Sequence, residues 1–105
     1  MNILANDSLL TMVIPVSLEE DILDFLLLHP RWAGGFSIIA AQGMGQGARL
    51  HSAMELVQGR SARKLVLIAG VHADLQRLIE ALAREMPVPE VEYWISPLLA
   101  SGRLA

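Results

Sequence analysis

Gly43, Gly45 and Gly47 stand at every second position in the stretch AAQGMGQGARLHSAMELVQGRSARK, residues 40–64, where the side chains able to do chemistry are concentrated. Glycine lets a backbone approach a ligand closely and adopt conformations closed to other residues, so this spacing suits a loop that wraps a small molecule. Arg49, Arg60, Arg63 and Lys64 lie in or beside it and are four of the eight lysines and arginines in the chain, against the single acid Glu55. In a protein of net charge −3, a local positive patch draws anionic ligands or an acidic partner surface. Arg49 is expected to hold the anion, because a guanidinium offers a rigid fork of donors matched to carboxylate or phosphate. His51 and Glu55 are spaced i, i+4, so on a helical turn both would face one metal ion, with Met44 and Met54 as further soft donors. Leu50, Met54 and Val57 also recur at helical spacing and, with Arg60, form a segment able to fold against a protein partner.

Other chemistries find little support. No lysine followed by serine or threonine completes a P-loop, and no long helix follows the glycines directly as in a dinucleotide site. A serine nucleophile elbow, an HExxH zinc motif and paired carboxylates are all missing, so the sequence reads as a binding protein and not an enzyme. It contains no cysteine, which excludes disulfides, thiolate metal sites and cysteine nucleophiles. The acidic charge balance speaks against a nucleic-acid binder, which needs many cations on one face to neutralise phosphates. The first residues, MNILANDS, carry no basic segment of the signal-peptide type, and the apolar runs are too short for a membrane span. The expectation is a cytoplasmic protein without membrane insertion, whose cofactor, if any, the sequence does not specify.

The elements that must position the loop follow from periodicity. At 105 residues and 53% hydrophobic content the chain fits one domain, 1–105, with a real core. LLTMVIPV, residues 9–16, is short, apolar and partly β-branched and ends near Pro15, which suits a strand. In SLEEDILDFLLLHP, Ser17 and Glu20 have capping-box spacing, and Leu18, Ile22, Phe25 and Leu26 form one apolar stripe of a helix closed by Pro30. FSIIAA, residues 36–41, and KLVLIAGV, residues 64–71, read as the second and third strands. Leu75, Leu78, Ile79, Leu82 and Met86 trace the clearest amphipathic helix, and VEYWIS, residues 91–96, alternates as a fourth strand. His29 is placed to meet the negative end of the first helix, His72 to cap the second, and Trp32 and Trp94 to serve packing.

The order β-α-β-β-α-β predicts an α+β, ferredoxin-like fold, a four-stranded antiparallel sheet with both helices on one face and a long loop at about 43–60. Its other face should be polar in an isolated monomer. Yet strand one carries Leu9 and Val13 on one side and Leu10, Met12 and Ile14 on the other, and strand three is apolar on both. An uncovered apolar face of this size predicts a homo-oligomer that buries it, with Trp94 at the interface.

QGMGQGARLHSAMELVQGRSARKLVLIAG resembles the region around the T-loop of the PII signal-transduction proteins, in which a strand leads into a GxG segment, a long loop and a branched strand. With HPRWAGGF and the ending YWISPLLASGRL, nearly the whole chain is similar to a family of short PII-like proteins of unknown function, often associated with heavy-metal efflux systems. The resemblance implies a trimer with ligand clefts between subunits, Gly43 and Gly45 bordering the cleft and Arg103 able to close it. It also implies that the loop 43–60 reaches a partner protein, such as a metal-efflux transporter. A metal-binding, divalent-cation tolerance protein of the same fold is the alternative. Two departures stand out. The second helix runs through PVP almost directly into strand four, without the glycine-rich, basic phosphate loop of PII proteins, and the loop lacks the tyrosine modified in some of them.

Overall fold

Side-chain parity in the first strand sets the architecture. In β1 (Ser8–Pro15) the even-numbered Leu10, Met12 and Ile14 are completely buried, while Leu9 and Val13 on the other side are only half-buried. The computed structural model describes residues 6–43 and 61–105. After β1 come α1 (Glu19–Leu27), β2 (Ser37–Gly43), β3 (Ser61–Gly70), α2 (His72–Glu85) and β4 (Glu92–Pro97). The strands lie in the order β2-β3-β1-β4, every neighbouring pair antiparallel, which is the predicted ferredoxin-like arrangement.

Both helices cover the even-parity face. Ile22, Phe25 and Leu26 of α1 and Leu75, Leu78, Ile79 and Leu82 of α2 form one core with Leu10, Met12, Ile14, Val66 and Ile68. Met86 and Leu18, also expected there, are partly buried against it. Register assigns the remaining positions: Ile95 lies opposite Leu10 and Tyr93 opposite Met12, on the helix side, whereas Trp94 lies opposite Thr11 on the open side.

The helix starts differ from expectation. Ser17 does not form a capping box, because Val16–Leu18 make a 3₁₀ turn directly after Pro15 and α1 begins only at Glu19, with no side-chain cap. Ser17 is thus inside a turn and not at the half-extended position that N-capping requires. Glu19, Glu20 and Asp21 still place negative charge on the positive end of the helix dipole.

At α2, His72 is capped and does not cap. Its backbone N–H donates to Asp7 Oδ1 at 2.9 Å, and the Ser8 hydroxyl donates to the same oxygen at 3.0 Å. Removing this acceptor by Asp7→Ala should lower stability by about 0.5–2 kcal/mol, with Asp7→Asn retaining most of it. Urea unfolding of the two variants checks this: equal midpoints would dismiss Asp7 as a cap.

At the other helix end, the His29 ring meets Phe25 edge-on at 4.3 Å between centroids and Trp32 at 5.3 Å. That aromatic group fastens the turn after α1 to the core, into which Trp32 is partly buried.

Candidate functional site

The root of the long connection is a regular antiparallel ladder. Gly43 lies opposite Ser61, Gln42 opposite Ala62, Ala41 opposite Arg63 and Ala40 opposite Lys64. Two basic neighbours therefore project to opposite faces of the sheet. Lys64 is on the helix side, where its Nζ reaches Glu19 Oε1 at 3.8 Å, a long and partly solvated pair that contributes little. Arg63 is on the open side. It is only 5% exposed, and its Nη1 is enclosed with no hydrogen-bond partner. Sequence reasoning placed Arg63 in the basic patch and gave it no role of its own, since an arginine next to a loop ordinarily remains solvated.

Met44, Gly45, Gly47, Arg49, Leu50, His51, Met54, Glu55, Val57 and Arg60 lie outside the described residues. Of the expected ligand-binding residues, Gly43 ends β2 and Arg103 lies in the exposed segment after β4. These two are at opposite ends of the molecule. Gly43 lies at the end of the sheet where β3 begins, whereas Pro97 at the end of β4 shares a row with Ser8 and Gly70, where β3 finishes. A strand of ten residues spans roughly 30 Å at about 3.3 Å per residue. The tail is also held at its own end, with Leu98 N–H donating to Asp7 O at 2.9 Å and Ser101 Oγ to Asn6 O at 2.8 Å. Within one chain, then, Arg103 and Gly43 do not meet; a cleft with both needs two subunits.

Among the described residues, neither helix packs on the other face of the sheet. Leu9, Thr11 and Val13 of β1, Ile39 and Ala41 of β2, Leu65, Leu67 and Ala69 of β3 and Trp94 of β4 share it by register. Ile39 and Trp94 are 48% and 50% exposed, an apolar exposure that water disfavours. Trp94 was legible from the alternation of β4, and the structure puts it where that alternation predicted.

Two further surfaces were not anticipated. An apolar groove of about 270 Å³ opens between α2 and the edge strand β4, lined by Met12, Ile79, Leu82, Met86, Val88 and Tyr93 among others. At the opposite end Arg31, Trp32, Asp74 and Arg77 border a polar hollow, in which Arg77 Nη1 is already engaged by Asp74 Oδ1 at 3.0 Å. The connection from α2 to β4 runs through Met86, Pro87, Val88, Pro89, Glu90 and Val91, with no glycine, lysine or arginine. Among the described residues, no three histidine or acidic side chains come together as a metal site.

Comparison with known proteins places this geometry. The model of a family described as "Protein of unknown function (DUF3240)" matches residues 4–105. A DUF3240 family protein from Shewanella baltica OS155 is 22% identical, with 97% of this chain and 100% of that chain covered and a TM-score of 0.73. CutA from Synechococcus elongatus PCC7942, in complex with Bis-Tris, is 17% identical over 94% of this chain and 86% of that one, at a TM-score of 0.69. CPII from Thiomonas intermedia K12, a nitrogen regulatory PII-like protein bound to ADP, AMP and bicarbonate, is 14% identical over 88% and 91%, at 0.64. At these identities the likeness is one of fold. No curated protein matches the sequence.

Proposed function

Because the chain belongs to the DUF3240 family of proteins of unknown function, and its fold is that of PII-like proteins and CutA, we propose that it is a PII-like regulatory protein acting by binding. In this reading it is a cytoplasmic trimer. A small anionic ligand occupies clefts between subunits, bordered by Gly43, Gly45, Gly47 and Arg49 of one and Arg103 of another. The loop 43–60 then meets a partner protein, such as a metal-efflux transporter, through Leu50, Met54, Val57 and Arg60.

The observation that carries the reading is the open apolar sheet face with half-exposed Ile39 and Trp94, which self-association would bury. Gly43 and Arg103 are far apart within one chain, so a cleft bordered by both requires a second subunit. The short link between α2 and β4 argues against a triphosphate held as in PII proteins, and favours a smaller anion.

Likeness to CutA supports a second reading, a metal-binding tolerance protein of the same fold in which His51 and Glu55 hold the ion. Calorimetric titration with ATP, ADP, cyclic nucleotides, copper and zinc separates the two. Binding of an anionic nucleotide without a metal response supports the regulatory reading, and the reverse supports the second.

For an anion that binds, Arg103→Ala is expected to weaken affinity by about 1–3 kcal/mol, and Arg103→Lys to recover only part of that loss, because lysine keeps the charge without the fork. Since Arg103 is exposed, the fold should be unaffected. Unchanged affinity in both variants would remove Arg103 from the site.

A further inference from the structure

We propose that Arg63 pairs with Glu92 of the partner subunit, so that a ring of copies is joined by one buried ion pair at each interface. The inference rests on self-association through the open sheet face.

Among the described residues that face carries one cation and one anion. Arg63 lies opposite Pro15 and Ala41, and Glu92 lies opposite Val13, all on the side away from the helices. No ion pair joins the two within the chain, where β1 runs between them and sets their strands about 10 Å apart. Each is anomalous in a different way. Arg63 is 5% exposed with an orphaned Nη1, although a guanidinium taken out of water needs its donors filled. Glu92 is exposed, yet shares its face with Trp94 two residues along the same strand.

Arg63 is already out of water within its own chain, and covering this face would take Glu92 out of water as well. A free oxyanion could satisfy Arg63 but would leave Glu92 desolvated and unpaired, which is strongly unfavourable. In a ring, one neighbouring copy supplies the carboxylate for Arg63 and the other neighbour supplies the guanidinium for Glu92. In a closed ring the contact repeats head to tail, so every subunit uses both residues once. The pair would also fix the register of otherwise featureless apolar faces, a role buried polar contacts perform elsewhere.

Charge reversal tests this in the full-length protein, with assembly followed by sedimentation and folding by circular dichroism. Glu92→Arg and Arg63→Glu should each raise the concentration of half-dissociation by about 100-fold or more, and the double reversal should return it to within about 10-fold of the parent. Glu92→Gln provides an independent arm, because its exposed position leaves the monomer fold intact; it too should weaken assembly. If all variants assemble like the parent, the ion pair is overturned while self-association stands. If the parent itself stays a single chain, both fall. If Arg63→Glu alone disrupts assembly and inorganic phosphate strengthens the parent, Arg63 holds an oxyanion and the pair is likewise overturned.

Discussion

Under the proposed self-association through the open sheet face, replacing Trp94 by glutamate is expected to give a folded monomer. Trp94 is 50% exposed at the edge of the open face, so within one chain it has little packing to lose. In an assembly it would be the largest side chain at the interface, and a buried tryptophan commonly contributes about 2 kcal/mol or more on truncation. The incoming carboxylate adds the desolvation of an unpaired charge, which is of the order of several kcal/mol. It also stands two residues from Glu92, on the same face. Each 1.4 kcal/mol is about a factor of ten in dissociation constant, so the combined effect exceeds about a thousandfold. Light scattering should report single chains at micromolar concentration with an unchanged circular dichroism spectrum. Retention of the parent's mass would mean that the open face is not the contact surface.

The second large effect concerns the scaffold. Leu78 is completely buried on α2 between the other core residues of that helix, Leu75, Ile79 and Leu82. Leu78→Ala leaves a cavity that the close-packed surroundings fill only partly, at a cost of about 2–5 kcal/mol. For a domain whose total stability is about 5–15 kcal/mol, that is a large share. The measurement is best made in the Trp94→Glu background, in which unfolding is free of the concentration dependence that the proposed assembly would impose. The urea midpoint should fall at constant slope. Leu104→Ala is the control: that leucine is fully exposed, and its truncation should change stability by less than about 0.5 kcal/mol. Equal shifts in the two variants would contradict the described core.

The strands and helices were legible because burial imposes period on sequence. Leu10, Met12 and Ile14 against Leu9 and Val13, or Tyr93 and Ile95 against Trp94, mark two faces by alternation alone, and register then fixes which face meets the helices. The α2 stripe was equally clear, since four of its five expected core residues are buried and the fifth, Met86, is partly so.

What escaped was tertiary. Ser17 and Glu20 satisfy the capping pattern in sequence, but Pro15 leads into a 3₁₀ turn that consumes Ser17. The cap of α2 comes from Asp7, 65 positions away, and local spacing contains no trace of it. Arg63 was hidden for a similar reason. Its neighbour Lys64 has the same local composition around it, and only strand parity puts one on the helix side with Glu19 and the other on the open face, enclosed and unpaired. Most of the expected ligand and partner residues fall within 44–60, outside the described residues, so they stand as proposals that binding measurements must decide.

The most direct test of the central claim is the mass of the unmodified protein in solution. Light scattering coupled to size exclusion, at micromolar concentration and moderate salt, should give three times the 11.5 kDa chain mass. A single-chain mass under those conditions would contradict the account, because the apolar sheet face would then stand open to water and no cleft could form between Gly43 and Arg103.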